Sequence, residues 1–315
     1  MQVNRTHPRN NDGDWFSVLV TRTVAQSRPS SDEISRAFEE GWVGRDGYVR
    51  ADGTRQPSAL AFQGLVTAAD GSKHAEVFLV DLPEDLTHAG SAPLEGTATT
   101  RPAAPRGVHQ RRLTFTGERK FPGVVTTSRH WLRVSPDGSQ IAFLMKDDRG
   151  IVQFWTISPN GGEPHQVTHG ASGISSAFTW SPNGHDLAHL MDGSVCITNV
   201  ATGRKHRLTL PTVDSKPSPL ACVFSPEGRS IAYMRQVAAK DGTAFEQIFV
   251  VDVPQSEETD GSRGFPASPR SSAFQPMAPI AGATATSRWC LFIFVIIARA
   301  TLPRPSLCAG RRNGR

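Results

Sequence analysis

Three stretches of the chain repeat the same order of apolar and polar positions. They read LRVSPDGSQIAFLM from Leu132, FTWSPNGHDLAHLM from Phe178 and ACVFSPEGRSIAYMR from Ala221. In each, a short apolar run leads into Ser-Pro and a turn that contains glycine, and a second apolar strand follows. The three serines, Ser135, Ser181 and Ser225, are 46 and 44 residues apart. A period in the forties with short strands is typical of propeller blades.

Each repeat continues with two further predicted strands. The third strands cover residues 152–157, 195–200 and 247–252, and short edge strands cover 165–168 and 206–209. The pattern therefore predicts an all-β fold, a partial β-propeller with about four blades of four antiparallel strands. The predicted blade units are residues 1–116, 117–168, 169–209 and 210–252.

The first unit is divergent, and we interpret residues 27–75 as an insertion in it. Ser30 and Glu33 form a capping-box pattern, and Ile34, Ala37 and Phe38 make an apolar stripe, which predicts a short helix over residues 31–40. Residues 59–66 and 76–82 around an Asp-Gly turn predict a hairpin. The insertion is expected to pack as a small cap that contains the helix.

The net charge of +5 comes from the end of the chain. Residues 262–315 hold eight arginines and no Asp, Glu or Lys, so the remainder is mildly acidic. Such a body offers no extended basic surface for phosphates, and we expect no nucleic-acid partner. Residues 253–315 are predicted to be a low-complexity basic tail, disordered or read in a shifted frame.

Hydropathy and cysteine spacing bear on the compartment. The longest apolar run, residues 289–298, is half of the roughly 20 residues that a spanning helix needs, so no integral membrane span is predicted. The four cysteines form no CxxC pair, and the first residues, MQVNRTHPRN, hold no apolar leader. A cytoplasmic location is the simpler expectation, with the periplasm left open.

The SPDG, IAF, IxVVD and RxLT elements resemble the TolB-type β-propeller repeat, a relative of the WD repeat. The chain is most similar to the YidR-like family, on the stretches HPRNNDGDWFSVLVTRT, SDEISRAFEEGWVG, PLEGTATTRPAAPRGVHQRRLTFT and IAFLMKDDRGIVQFWTISPNGG. The resemblance implies the propeller fold and a link to biofilm-formation or Tol-like proteins. It supplies no catalytic residue to carry over. It also implies propeller sequence before Met1, which makes an incomplete member the expectation.

Two groups of residues are candidates for binding. Residues 129–131 precede the innermost strand of the second blade, which places them at the mouth of a central channel, and residues 39–42 lie at the end of the predicted inserted helix. The alternative interpretation of residues 129–131 is a packed tryptophan beside solvated polar groups. For residues 39–42 it is the solvated end of a helix. The candidate binding residues are Arg129, His130, Trp131, Glu39, Glu40 and Trp42.

No catalytic residue, metal ligand or cofactor is predicted. The chain contains no nucleophile elbow, no P-loop and no dinucleotide-binding glycine motif. His185 and His189 are four residues apart on a predicted turn and strand, which separates them by about 13 Å, too far to share one metal ion.

The predicted function is a non-catalytic interaction module that binds a protein or a glycan. One alternative is a carbohydrate-active propeller enzyme resembling oligogalacturonate lyase, which would require three histidines converging in the channel, with only His130 well placed. Another is the accessory propeller of a prolyl-oligopeptidase-like peptidase. Self-association through open blade faces is also expected, because an incomplete ring exposes apolar sheet surface.

Overall fold

The computed structural model describes residues 15–97, 99–127, 131–212, 216–239, 241–254 and 294–298. In these residues the regular secondary structure consists of β-strands, and none of it is α-helical. The described residues hold no helix of the length and hydropathy that crossing a bilayer requires.

The described residues in the first half of the chain form seven strands. They are β1 Trp15–Leu19, β2 Arg36–Trp42, β3 Tyr48–Val49, β4 Arg55–Gln56, β5 Ala59–Thr67, β6 Lys73–Asp81 and β7 His109–Arg112. Four of them form the first blade, an antiparallel sheet in the order β2-β5-β6-β7.

The second and third blades repeat this four-stranded meander. Their strands are β8 Arg133–Val134, β9 Ile141–Lys146, β10 Val152–Ser158, β11 Gly161–Gln166, β12 Thr179–Trp180, β13 Asp186–Met191, β14 Ser194–Asn199 and β15 Lys205–Arg207. Each sheet runs in chain order, so the first strand of each repeat lies on the inside and the fourth on the outer edge.

The fourth blade has three described strands, β16 Pro217–Phe224, β17 Ser230–Ala238 and β18 Ala244–Asp252. A last strand, β19 Phe294–Ala298, pairs antiparallel with β1. The four sheets confirm the all-β propeller fold. Of the predicted tail, the structure describes only residues 253–254 and β19.

The SPxG motif forms the same turn in successive blades. Ser135 Oγ donates to Asp137 Oδ1 at 2.6 Å and accepts from the Gln140 backbone N–H at 3.0 Å. Ser181 makes the equivalent bonds to Asn183 and Asp186. The motif glycines have φ near +75°, which a residue with a Cβ rarely adopts. The serine hydroxyl thus forms hydrogen bonds with groups of the turn that joins the inner strand to the second strand.

A threonine closes each of the first three blades. The Oγ1 atoms of Thr114, Thr168 and Thr209 accept the backbone N–H of the third strand at 2.8–3.0 Å. In the second blade Thr168 also donates to Gln153 Oε1 at 2.7 Å. The threonine of the predicted edge strand therefore completes backbone pairing where the ladder ends.

The predicted helix over residues 31–40 is wrong, and so is its placement in an inserted cap. Residues 36–42 are β2, the innermost strand of the first blade, and the predicted hairpin supplies its next two strands. Glu33 does not complete a capping box, since its carboxylate accepts the Arg28 backbone N–H at 3.0 Å. A helix of ten residues is marginal by itself, whereas pairing with β5 buries Ala37 and Phe38 on opposite sides of the sheet.

Candidate functional site

The first strands of the blades lie next to one another around the centre of the molecule. β2 contacts β8, β8 contacts β12, and β12 contacts β16. Two hydrogen bonds link them: Trp180 Nε1 donates to the Arg133 carbonyl at 2.9 Å, and Thr179 Oγ1 donates to the Cys222 carbonyl at 2.6 Å. Side chains on these strands therefore meet although they are distant in sequence.

Glu39 occupies a β-bulge in the inner strand of the first blade. The pairing of β2 with β5 shifts register between Phe38 and Gly41, and Glu39 has φ +57°, the left-handed region that favours glycine. Its Oε2 atom is buried without a hydrogen-bond partner. The bulge thus holds an acidic side chain in a strained position with one oxygen unsatisfied.

The environment of Glu39 favours its protonated form. Burial raises the pKa of its carboxyl to about 7, while the Trp131 side chain and the guanidinium groups of Arg36 and Arg133 oppose the shift. Glu40, its exposed neighbour, raises the pKa further through charge repulsion. The carboxyl therefore titrates close to neutral pH, where a ligand can decide whether it is ionised.

Arg133 faces Glu39 without forming an ion pair with it. Burial lowers the pKa of Arg133, and the charge of Glu39 partly offsets this. Its guanidinium lies 5.3 Å from the centre of the Trp131 ring, and Nη1 reaches the Leu132 carbonyl only at 3.4 Å. Among the ion pairs of the described residues, none joins Arg133 to a carboxylate. We call Arg36, Glu39, Trp131 and Arg133 the inner-strand cluster.

Sequence reasoning identified half of this cluster. It assigned Glu39 and Trp131 to separate surfaces, and the structure brings them together across β2 and β8. Arg133 was missed, although the repeats carry a signal: the equivalent position is Thr179 in the third blade and Val223 in the fourth. An arginine where the other copies hold uncharged residues distinguishes the second blade.

The other candidate residues fall in different places. Trp42 is 56% exposed at the far end of β2, in a recess of about 400 Å³ shared with Trp180 and Phe224. Glu40 is exposed beside the cluster. Arg129 and His130 lie outside the described residues.

Two groups of charged residues elsewhere in the first blade form paired networks. Glu76 is buried and accepts hydrogen bonds from Arg112, Thr114 and Thr116. Arg111 bonds Asp81 Oδ2 at 2.6 Å and the Pro159 carbonyl at 2.7 Å, which ties the first blade to the second. These networks stabilise the sheets by pairing the Glu76 and Asp81 carboxylates.

Ligand chemistry that depends on histidine or cysteine has little support in the described part of the chain. No group of three or more His, Cys, Asp or Glu side chains there is arranged to hold a metal ion. Cys196 and Cys222 are buried, and burial raises the pKa of the Cys222 thiol to about 12. Both cysteines pack in apolar clusters.

Comparison with known proteins places the chain beside one curated relative. It is 48% identical over 237 residues to "Uncharacterized protein YidR" of Escherichia coli, and the match covers 74% of this chain and 54% of that protein. The chain thus spans about half the length of the curated relative it matches. No family model matches the chain.

Solved structures with related folds are distant. TolB from Acinetobacter baumannii is 19% identical with a TM-score of 0.34, covering 69% of this chain and 45% of its own. The tricorn protease is 12% identical with a TM-score of 0.38, covering 77% and 17%. Oligogalacturonate lyase in complex with manganese is 19% identical with a TM-score of 0.29, covering 32% and 26%. None of these likenesses bears on activity.

Proposed function

We propose that this chain, which belongs to the YidR-like family of TolB-type β-propellers, is a non-catalytic interaction module that binds a protein or glycan partner on its inner strands. The observation that carries the proposal is the buried Glu39 Oε2 atom without a hydrogen-bond partner, next to an Arg133 guanidinium that forms no ion pair among the described residues.

The cluster is unfavourable for folding by itself. A buried polar group without a partner costs about 1–3 kcal/mol. A residue other than glycine in the left-handed region adds roughly 1–3 kcal/mol of strain. The paired networks of Glu76 and Asp81 carry no such cost. A partner that hydrogen-bonds to the Glu39 carboxyl and the Arg133 guanidinium would offset the cost of the unsatisfied polar group, while the backbone strain would remain.

The groups around Glu39 suit binding better than chemistry. Beside the exposed Glu40 carboxylate they include two guanidinium groups and an indole, which orient a ligand and keep their protons at neutral pH. Trp131 is 40% exposed, so its ring is accessible from solvent. The arrangement combines an apolar platform with a donor and an acceptor, as ligand sites commonly do.

The test is a binding screen of the full chain against defined saccharides and defined peptides. Glu39→Gln and Arg133→Met remove one charge each, and Glu163→Gln and Arg204→Met make the same changes at exposed outer positions. We expect at least one ligand to bind the wild type and both outer variants but neither cluster variant. A set of ligands whose binding is equal in all five proteins would overturn the proposal.

A further inference from the structure

We propose that the inner-strand cluster binds a carboxylate-bearing sugar residue. This inference rests on the proposed function and assigns the ligand class of the same site. Three features carry it: the guanidinium groups, the orphaned oxygen of Glu39 and the exposed indole of Trp131.

The guanidinium groups favour an anionic ligand group. Arg133 has a long contact to the Leu132 carbonyl, and Arg36 lies 5.0 Å from the centre of the Phe38 ring. No ion pair of the described residues joins either arginine to a carboxylate. A planar guanidinium binds a carboxylate through two parallel hydrogen bonds, and a partly desolvated one gains most from it. A single carboxylate on the ligand satisfies this half of the cluster.

Glu39 requires a group that serves either protonation state. Its Oε2 atom is buried without a partner, and since the pKa of the carboxyl is raised to about 7, a group that both donates and accepts suits the protonated and the ionised form. A hydroxyl group can do both, whereas a peptide N–H only donates. A ligand with hydroxyls beside its carboxylate therefore fits better than an acidic peptide.

Trp131 supplies an apolar surface beside these polar groups. Its ring is 40% exposed, and the Arg133 guanidinium lies 5.3 Å from the ring centre. The C–H face of a pyranose ring is apolar and flat enough to pack on an indole, which removes both surfaces from water. The hydroxyls and the carboxylate at the rim of the same ring then reach Glu39 and the arginines.

The charge balance argues against a densely charged polyanion. Glu39 and Glu40 lie beside Arg36 and Arg133, so the cluster has no large positive excess. A chain of phosphates would meet two carboxyls as well as two guanidinium groups. One carboxylate per sugar residue can bind the guanidinium groups with less repulsion from Glu39 and Glu40 than a chain of phosphates would meet.

The experiment is calorimetric titration of the full chain with a glucuronate tetrasaccharide. A second titration uses the same tetrasaccharide with its carboxylates reduced to alcohols, and a third uses a tetrapeptide of glutamate. We expect binding of the first ligand only, because only that ligand combines carboxylate with hydroxyls. Arg133→Met should weaken it about ten- to a hundredfold, since a charge-assisted hydrogen bond is lost.

The other variants separate a binding role from a structural one. Trp131→Phe keeps an aromatic ring and should retain part of the affinity, whereas Trp131→Ala should lose it. Arg204→Met should bind as the wild type does, and circular dichroism checks that every variant is folded. Binding of the peptide or of the reduced sugar through the same residues would overturn the ligand class and leave the proposed function standing. Tetrasaccharide binding that Glu39→Gln and Arg133→Met leave unchanged would place the ligand elsewhere and overturn both.

Discussion

The first and fourth blades each have an outer face, the side of the sheet that does not pack against another of the four blades. Both outer faces are apolar, but their surroundings differ. In the first blade, Phe62 and Phe78 pack against Val18 of β1 and against Ile34, which lies just before β2. In the fourth, Val250 is 66% exposed and Ile248 is 75% exposed. A blade face is therefore apolar whether or not something covers it, because its pattern is set by the repeat.

The repeat explains which residues face outward. Ala142 and Leu144 of the second blade pack against the third, and Ala188 and Leu190 of the third pack with the fourth. The equivalent residues of the fourth blade are Ala232 and Met234, which pair across the sheet with Val250 and Ile248. Cross-strand partners share a face, so these four residues form the surface on which a further blade would pack.

The largest expected effect is at the covered end. Phe62 and Phe78 are fully buried with ring centres 5.7 Å apart. Phe62→Ala should lower the free energy of unfolding by about 3–5 kcal/mol, because it removes apolar burial and leaves a cavity. Urea denaturation measures it, with Ile248→Ala as the control at the open end. A similar loss for both variants would show that the two faces are equally buried in solution.

The uncovered outer face of the fourth blade, which includes Ile248 and Val250, should drive self-association. Exposed contiguous apolar surface favours contact between copies, so the apparent mass of the wild type should rise with concentration. Changing Ile248 and Val250 together to lysine should lower this mass toward that of a monomer, as read by light scattering. The substitutions do not touch the buried face around Phe62. An unchanged thermal unfolding transition would therefore show that the double variant is still folded. A wild type that stays monomeric at high concentration would contradict the prediction.

A smaller effect on the free energy of unfolding is expected at Glu39, on the inner strand of the first blade. Glu39→Gly replaces a strained residue by one that adopts φ +57° freely, and it removes an unsatisfied carboxyl. The free energy of unfolding should rise by about 1 kcal/mol, while ligand binding should fall. Glu40→Gly, next to it and without positive φ, should not stabilise the chain. Equal effects of the two substitutions would remove the argument from strain.

A further expected effect is a change in pH dependence. The pKa of Glu39 is raised to about 7, so its folded form holds a proton that the unfolded form loses, and stability falls as pH rises from about 4.5 to 7. His189 is buried and its pKa is lowered to about 4, so its contribution to stability rises with pH between about 4 and 6.5.

These two contributions oppose each other in the wild type. Glu39→Gln should make stability rise more steeply from pH 4 to pH 6.5, and His189→Gln should make it fall over the same interval. Chemical denaturation at several pH values measures both slopes. If each variant has the slope of the wild type, neither group titrates in the stated window.

Sequence reasoning succeeded where the structure depends on neighbouring residues. The strands around Ser135, Ser181 and Ser225 were predicted because each turn is held by bonds within six residues. The helix over residues 31–40 was predicted wrongly because its apolar stripe also fits a strand with both faces buried. Nothing local distinguishes the two, and pairing with β5 decides between them.

The sequence by itself therefore determined the repeat, its turns and the strand content, since short-range hydrogen bonds and alternating burial are written into each copy. Tertiary structure alone decided that Glu39 lies opposite Arg133, and that the outer face of the first blade is covered by Val18 and Ile34. The physical reason is the same in both cases. Those contacts join residues that are far apart in the chain or lie outside the repeat, and their free energies depend on how whole sheets pack.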